Sequence, residues 1–526
     1  MPSRATSKRP IVATFRRLLP PGSESVGAAT ASRAGLFVHL RNYLSAGVLT
    51  ALVGVLSFPI LTRALSVEQY GILGLVTATL TLYVAFGKLG LQHAVIRYFA
   101  QINEGNSEFT NRQMVSTVLL TFVVLAVLTT LLWILSGFLL LPRWMSYDGI
   151  GELFMVAAAL LFLRLFGSSV LNFLRAEQRS GRVAVAMSMA RVGNLALIIV
   201  SVLLFDLDPA TALICMALGE LLCVAYALWS WRDHLDISMR EFRSRLLLDM
   251  IRYGLPLMML ESLGLVLRLS DRYMIEAMLG VVPLGQYSAS YNLTGYLDLI
   301  ILAAIAQALR PAYMQLWESG GTEAVSGFLA SGLRLYLLLS IPFVTLFSLV
   351  SPHMLAIFAG DKFYPGTVII PFVAASFLLE GAMHWLAAGL YIQKDTTTLM
   401  KWGFIATLVN VSLNLFVIPR FGISGAAMVT VLSYLIFMLG VGRAAFRHVR
   451  FPIAPGVPLA LAAACTVLWY LVAGIDLSSH WQALFVKGLV ATPVLLMALL
   501  VAEPSLWTRG RELLRSRLAR TRSEGA

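Results

Sequence analysis

Residues 115–141 read VSTVLLTFVVLAVLTTLLWILSGFLLL, 27 consecutive positions without a charged side chain. A helix rises 1.5 Å per residue, so about 20 apolar residues cross the roughly 30 Å hydrocarbon core of a bilayer. This run is long enough to span. Comparable runs lie on both sides of it, at 42–64, 71–94, 151–174, 184–205, 209–230, 253–279, 286–309, 328–350, 366–391, 401–419, 423–442, 456–474 and 484–502. That makes fourteen spans. The runs are continuous rather than alternating, which excludes the strands of a transmembrane barrel. The fold class is an all-α polytopic membrane protein.

The whole chain of 526 residues agrees with this reading. Its hydrophobic share is 58% and its charged share 13%, against about 45–50% and about 25% in soluble domains. The mean hydropathy is +0.80. So few charges cannot cover so much apolar surface in water, and disordered, collagen-like and disulfide-scaffold classes fall away as well. Cys215 and Cys223 sit eight residues apart on one span and cannot pair. With Cys465 they form no metal spacing. The net charge is +13, but no folded basic domain is present to bind nucleic acid.

The basic residues fix the orientation. Segments 1–34 and 503–526 each carry six Lys/Arg, with one and three acids. With both termini cytoplasmic, 30 of the 40 Lys/Arg fall on the inner side and five on the outer side, namely Arg63, Arg143, Lys362, Arg420 and Lys487. That bias obeys the positive-inside rule. The longest inner loops are expected near 95–114 and 231–252, and the longest outer loop near 351–365. Segment 1–34 lacks a signal-peptide core and reads as a disordered cytoplasmic tail, and 503–526 as a basic cytoplasmic tail.

A repeat of about 216 residues runs through the chain. Gln69-Tyr70 returns as Gln286-Tyr287, Gln178-Arg179 as Gln393-Lys394, and Asn194 as Asn410. The period covers six spans, an even number, so the halves share one orientation about a twofold along the membrane normal. The expected organisation is a six-helix lobe at 35–231, a cytoplasmic linker at 232–252, a second six-helix lobe at 253–447, and two additional helices at 448–502.

Three stretches carry a family resemblance. They are 58–71 (FPILTRALSVEQYG) with 87–97 (GKLGLQHAVIR), 271–275 (DRYMI) with 285–288 (GQYS), and 418–427 (IPRFGISGAA). Together they resemble the polysaccharide transporter family, the O-antigen and exopolysaccharide repeat-unit flippases of the multidrug/oligosaccharidyl-lipid/polysaccharide superfamily. The resemblance covers about residues 36–450. It implies two lobes in a V around a central cavity that opens alternately to each side of a bacterial inner membrane. It implies a polyprenyl-pyrophosphate-linked oligosaccharide as substrate, with a polysaccharide polymerase and a chain-length regulator as protein partners.

Charges inside spans are costly and usually face a cavity or a partner. Span seven places Glu261, Arg268, Asp271, Arg272 and Glu276 on one helical face. Arg268 and Asp271 are spaced to pair at i, i+3. One reading makes this face a cavity wall whose arginines take the pyrophosphate implied by the resemblance, since guanidinium groups suit bidentate phosphate contacts. The other makes it a neutralised network that holds the lobes together. Arg164, Arg191 and Lys88 are further candidates for an anion. Tyr287 and Tyr291 are candidates for stacking on sugar. Glu380 and His384 stand at i, i+4 and suit a proton relay, because His titrates near neutral pH. Asn410 and Asn414, with the carboxylates of that cluster, Glu380 and Asp298, suit a sodium site instead, and Asp271, Glu261 and Glu220 are further ion-coupling candidates. Coupling to H+ or Na+ therefore stays open, and no bound cofactor is expected.

The chain lacks G-x-x-x-x-G-K-[ST], H-E-x-x-H and G-x-S-x-G motifs, so no enzyme is expected. A lipid II flippase or a multidrug antiporter of the same superfamily is the alternative. A glycan polymerase or ligase would need a large outer loop, and none is expected here.

Overall fold

The computed structural model describes residues 47–139, 147, 149–475 and 477–503, without the side chains of 298–308. The two basic tails and the side chain of Asp298 lie outside the described residues. Fourteen helices follow in chain order: α1 Gly47–Ala64, α2 Val67–Gly87, α3 Leu91–Asn103, α4 Asn111–Leu139, α5 Ile150–Ala176, α6 Ser180–Leu204, α7 Pro209–Trp231, α8 Ser244–Leu279, α9 Val281–Ala359, α10 Ile370–Leu386, α11 Ala388–Ile392, α12 Thr396–Ala445, α13 Gly456–Ala473 and α14 His480–Ala502.

Spans and helices do not correspond one to one. α2 with α3 makes a single pass, as does α10 with α11. α9 breaks at Gly321 (φ 62°) and α12 at Gly422 (φ 61°), a backbone region that glycine enters without penalty. Each therefore folds back on itself, which gives fourteen helical legs among the described residues, where twelve helices are long and apolar enough to cross a membrane. The expected loops are shorter than the hydropathy suggested. Leu91–Asn103 is helical within 95–114, α8 starts at Ser244 rather than at 253, and α9 runs to Ala359 before a 3-10 segment at Asp361–Ile369. Hydropathy finds where a helix is buried in lipid, whereas backbone hydrogen bonding continues past the interface.

The repeat is written into the backbone. Gln178 (φ 57°) and Lys394 (φ 59°) are left-handed non-glycine residues at the ends of α5 and α11. At the first turn Arg179 N–H donates to Leu174 and Gln178 N–H to Arg175. At the second, Asp395 N–H donates to Leu390 and Lys394 N–H to Tyr391. Both are Schellman caps, which satisfy the last carbonyls of a helix. Leu174, Arg179 and Gln178 map on Leu390, Asp395 and Lys394 at one offset of 216, so the backbone equivalent of Gln178 is Lys394. Asp395 then caps α12 from outside the span, and the bonds from Thr398 hold its carboxyl below the usual range.

The helix ends define two faces of the bundle. Arg112, Arg179, Arg243 and Arg447 mark a basic end. Ser66, Gly280, Gly360 and Gly422 mark the distal end. At the distal end α2 crosses α9 so closely that a Cβ on Gly71 would lie 2.8 Å from the Gly285 nitrogen. At the basic end Gly90 (φ 77°), between α2 and α3, meets Gly254 of α8. A Cβ on either would overlap the other's carbonyl.

Candidate functional site

Between those two glycine crossings lies a cavity of about 370 Å³, lined by Thr77, Thr81, Arg164, Arg191, Asn194, Glu220 and Arg272 among others. α2, α5, α6, α7 and α8 each contribute to it. Arg164 and Glu220 stand 3.8 Å apart. Three guanidinium groups thus face one carboxylate, and the lining is net cationic. Lys88, at the end of α2, stands within electrostatic reach of Glu261, Arg175, Glu220 and Arg164. It extends the positive field toward the basic end.

Arg272 is buried yet lies on the cavity wall. One of its nitrogens donates to Asn292 Oδ1 at 3.1 Å, and Asn292 in turn donates to the Tyr70 hydroxyl at 3.0 Å. The guanidinium carbon sits 5.3 Å from the centre of the Tyr291 ring, within cation–π range. Its Nε has no protein partner.

The other charges of α8 turn away from that wall. Arg268 donates to Glu380 Oε2 of α10 at 2.7 Å. Asp271, 1% exposed, accepts from three neutral donors: Tyr287 at 2.9 Å, Thr430 at 2.6 Å and Asn414 at 2.8 Å. Glu276 is buried as well. Glu261 reaches His93 and Gln92 of α3, each at 3.2 Å. The expected single face therefore divides, and the expected Arg268–Asp271 pair gives way to Arg268–Glu380. The reason is angular: at 100° per residue Asp271 and Arg272 point to different neighbours.

Two aromatic assignments are corrected. Tyr287 is fully buried and serves Asp271. Tyr291 is 8% exposed, packed between Arg272 and Phe377. Neither ring offers a face to a sugar. Of the proton-relay candidates, Glu380 is engaged by Arg268, which makes it a counter-charge.

Asp271 instead anchors a buried oxygen cluster. Asn410 Oδ1 accepts from Ser270 at 3.0 Å, and Asn414 lies one turn along α12. Asn410 Nδ2 and Asn414 Oδ1 have no protein partner. Asn414 Nδ2 also donates to Asn410 Oδ1 at 3.3 Å, so of the two amide oxygens Asn414 Oδ1 is the unpartnered one, a hard donor beside the Asp271 carboxylate of the kind that suits a small hard cation, while the carboxylate itself can take a proton. Among the described residues no three His, Cys, Asp or Glu gather as a transition-metal site. Sequence reading missed Thr430, Asn292 and Thr81, since a lone Thr or Asn in an apolar run carries no periodic signal. The Asn410-x-x-x-Asn414 spacing was the one legible pointer.

Comparison with known proteins places the chain. Residues 41–317 match the family described as polysaccharide biosynthesis protein. The chain belongs to this family. A probable low-salt glycan biosynthesis flippase of Haloferax volcanii, Agl15, is 21% identical over 406 residues, covering 77% of this chain and 81% of the relative. The lipid II flippase MurJ in an inward closed conformation superposes with a TM-score of 0.72 at 12% identity, covering 89% of this chain and 99% of that one. An inward-facing multidrug resistance MATE transporter gives 0.60 at 16% identity, covering 76% and 94%. The fold is that of the multidrug/oligosaccharidyl-lipid/polysaccharide superfamily.

Proposed function

We propose that this member of the polysaccharide biosynthesis family is a flippase for polyprenyl-pyrophosphate-linked oligosaccharide. On this reading it moves repeat units of a surface polysaccharide from the cytoplasmic to the periplasmic leaflet by alternating access. The carrying observation is the cavity itself, where Arg164, Arg191 and Arg272 face Glu220 alone. A drug antiporter that collects cations would need the opposite sign. Each half supplies one six-helix lobe, 35–231 and 253–447, with 232–252 as the link and 448–502 as two added helices. The glycine crossings at the two ends act as gates, and Asp271 with Asn410, Asn414 and Thr430 is the seat of a coupling Na+ or H+.

Proteoliposomes test substrate and ion together. A pyrophosphate-linked glycolipid should cross faster than its uncharged polyprenyl glycoside, and a cationic dye should not cross at all. Imposed Na+ or H+ gradients should change the rate, and Asp271→Asn should remove that response at normal reconstitution. Equal rates for dye and glycolipid would sink the anion reading. An unaltered gradient response in Asp271→Asn would sink the coupling assignment.

The basic end is assigned to the cytoplasm of a bacterial inner membrane, following the 30-to-5 distribution of Lys and Arg. Reporter fusions after Arg450 and after Ser505 should both report cytoplasm. A periplasmic signal at either would reverse the orientation.

A further inference from the structure

The distal end carries a pair of cations that the transport reading leaves without a role. Arg63 lies in the last turn of α1, and Lys362 follows the end of α9 beyond Gly360 (φ 87°). Arg63 Nη2 donates to the Ile357 carbonyl at 2.7 Å, and its Nε to the Phe358 carbonyl at 3.3 Å. Both carbonyls belong to the last turn of α9. Lys362 Nζ donates to the Leu65 carbonyl at 2.6 Å and lies 3.5 Å from that of Arg63, at the end of α1. α1 thus lends a cation to the C-terminus of α9, and the segment that follows α9 lends one to the C-terminus of α1.

The last carbonyls of a helix have no partner within it and carry the negative end of its dipole, so a cation placed there is favourable. Here the exchange is reciprocal, and it joins residues almost 300 positions apart, one in each half of the repeat. The carboxylate nearest in sequence, Asp361, is turned to His480 at 3.1 Å. Among the described residues neither cation forms a salt bridge. Around the pair, Tyr70 and Phe363 meet edge to face at 5.5 Å, and Gly71 crosses Gly285. The glycines let the helices touch, and the rings fill the space beside them. With the Asn292–Tyr70 hydrogen bond, the exchanged cations are polar contacts that tie the two halves at this end.

We propose that Arg63 and Lys362 form the latch of the distal gate, broken and remade in each transport cycle. The inference rests on the alternating-access reading given above. Cation-to-carbonyl bonds at a partly exposed rim suit the task. They hold without a desolvated ion pair, and water replaces them when the helices part.

The test reads gate opening rather than glycan movement. In a background with Cys215, Cys223 and Cys465 replaced by Ala, Thr81→Cys places one thiol on the cavity wall. A membrane-impermeant sulfonated thiol reagent is added to right-side-out spheroplasts. Arg63→Ala combined with Lys362→Ala should raise the labelling rate roughly 3- to 30-fold, the range expected for losing two helix-terminus cations. Arg63→Lys keeps a donor and should label near the parental rate. Arg420→Ala removes an exposed cation at the same end and should change nothing. If the double variant fails to reach the membrane, Arg63→Gln and Lys362→Gln taken singly should each raise the rate. Parental labelling in these variants at normal membrane level overturns the latch, whatever the transported lipid proves to be. Faster labelling in the variants, with no glycolipid transport by the parental protein, would instead keep the latch and refute the substrate.

Discussion

Arg272→Ala is expected to reduce glycolipid translocation at least about tenfold, and Arg272→Lys to fall between it and the parent. A hydrogen bond to a charged group contributes about 1.5–3 kcal/mol, and each 1.4 kcal/mol is a factor of ten. Arg272 is positioned for such a contact. Asn292 holds one nitrogen and the Tyr291 ring supports the guanidinium, while Nε has no protein partner and the residue lines the cavity. Lysine would keep the charge but lose the planar donor pair. Asn292→Ala separates positioning from charge. It frees the guanidinium without removing it and should cost less than Arg272→Ala. Translocation at the parental rate in both Arg272 variants, with normal membrane levels, would mean that the cavity charge is structural.

Gly254→Ala should be nearly as severe, for a steric reason. A methyl group there overlaps the carbonyl of Gly90, so the basic end cannot close. The substitution favours the helix itself by about 0.8–1 kcal/mol, and a loss of transport is therefore not a loss of helix. Translocation should drop more than about tenfold if closure limits the cycle by the 1.4 kcal/mol or more that such an overlap implies. A thiol at Thr81 should label faster from the cytoplasmic side. Gly264→Ala lies on the same helix facing open space and should be silent. Full transport by Gly254→Ala would show that this crossing is no gate.

Much of the molecule was legible before any coordinates. Apolar run length alone gives fourteen passes, because a lipid-crossing segment has one solution and its length is fixed by the bilayer. The repeat was legible through Gln178 and Asn194, although the register at Gln393-Lys394 needed the backbone, where the left-handed residue is Lys394. The site was legible as a set of residue types and not as a set of pairs. Periodicity put Arg268, Asp271 and Arg272 on one face, but neighbours from α10, α9 and α12 draw each to a different partner, and those neighbours are distant in sequence. Tyr287 and Tyr291 failed for the same reason: a tyrosine in a span looks alike whether its hydroxyl serves a buried carboxylate or a ligand. Arg63 and Lys362 read as outer-loop charges because a bond from a side chain to a remote helix end leaves no pattern in sequence.

The offset of 216 has a consequence beyond architecture. Carried along α5 and α10, it lays Arg164 on Glu380, and carried along α6 and α12 it lays Arg191 on Thr407 and Asn194 on Asn410. The same address therefore holds a cation in one half and an anion in the other. Arg164 answers Glu220 within its own half, and Glu380 answers Arg268 within its own. The halves are alike in backbone and opposite in charge at this address, so they are not interchangeable there. A gene-conversion event that copied the first half's residue into the second would put an arginine at position 380, facing Arg268, and leave two half-buried like charges where an ion pair had been.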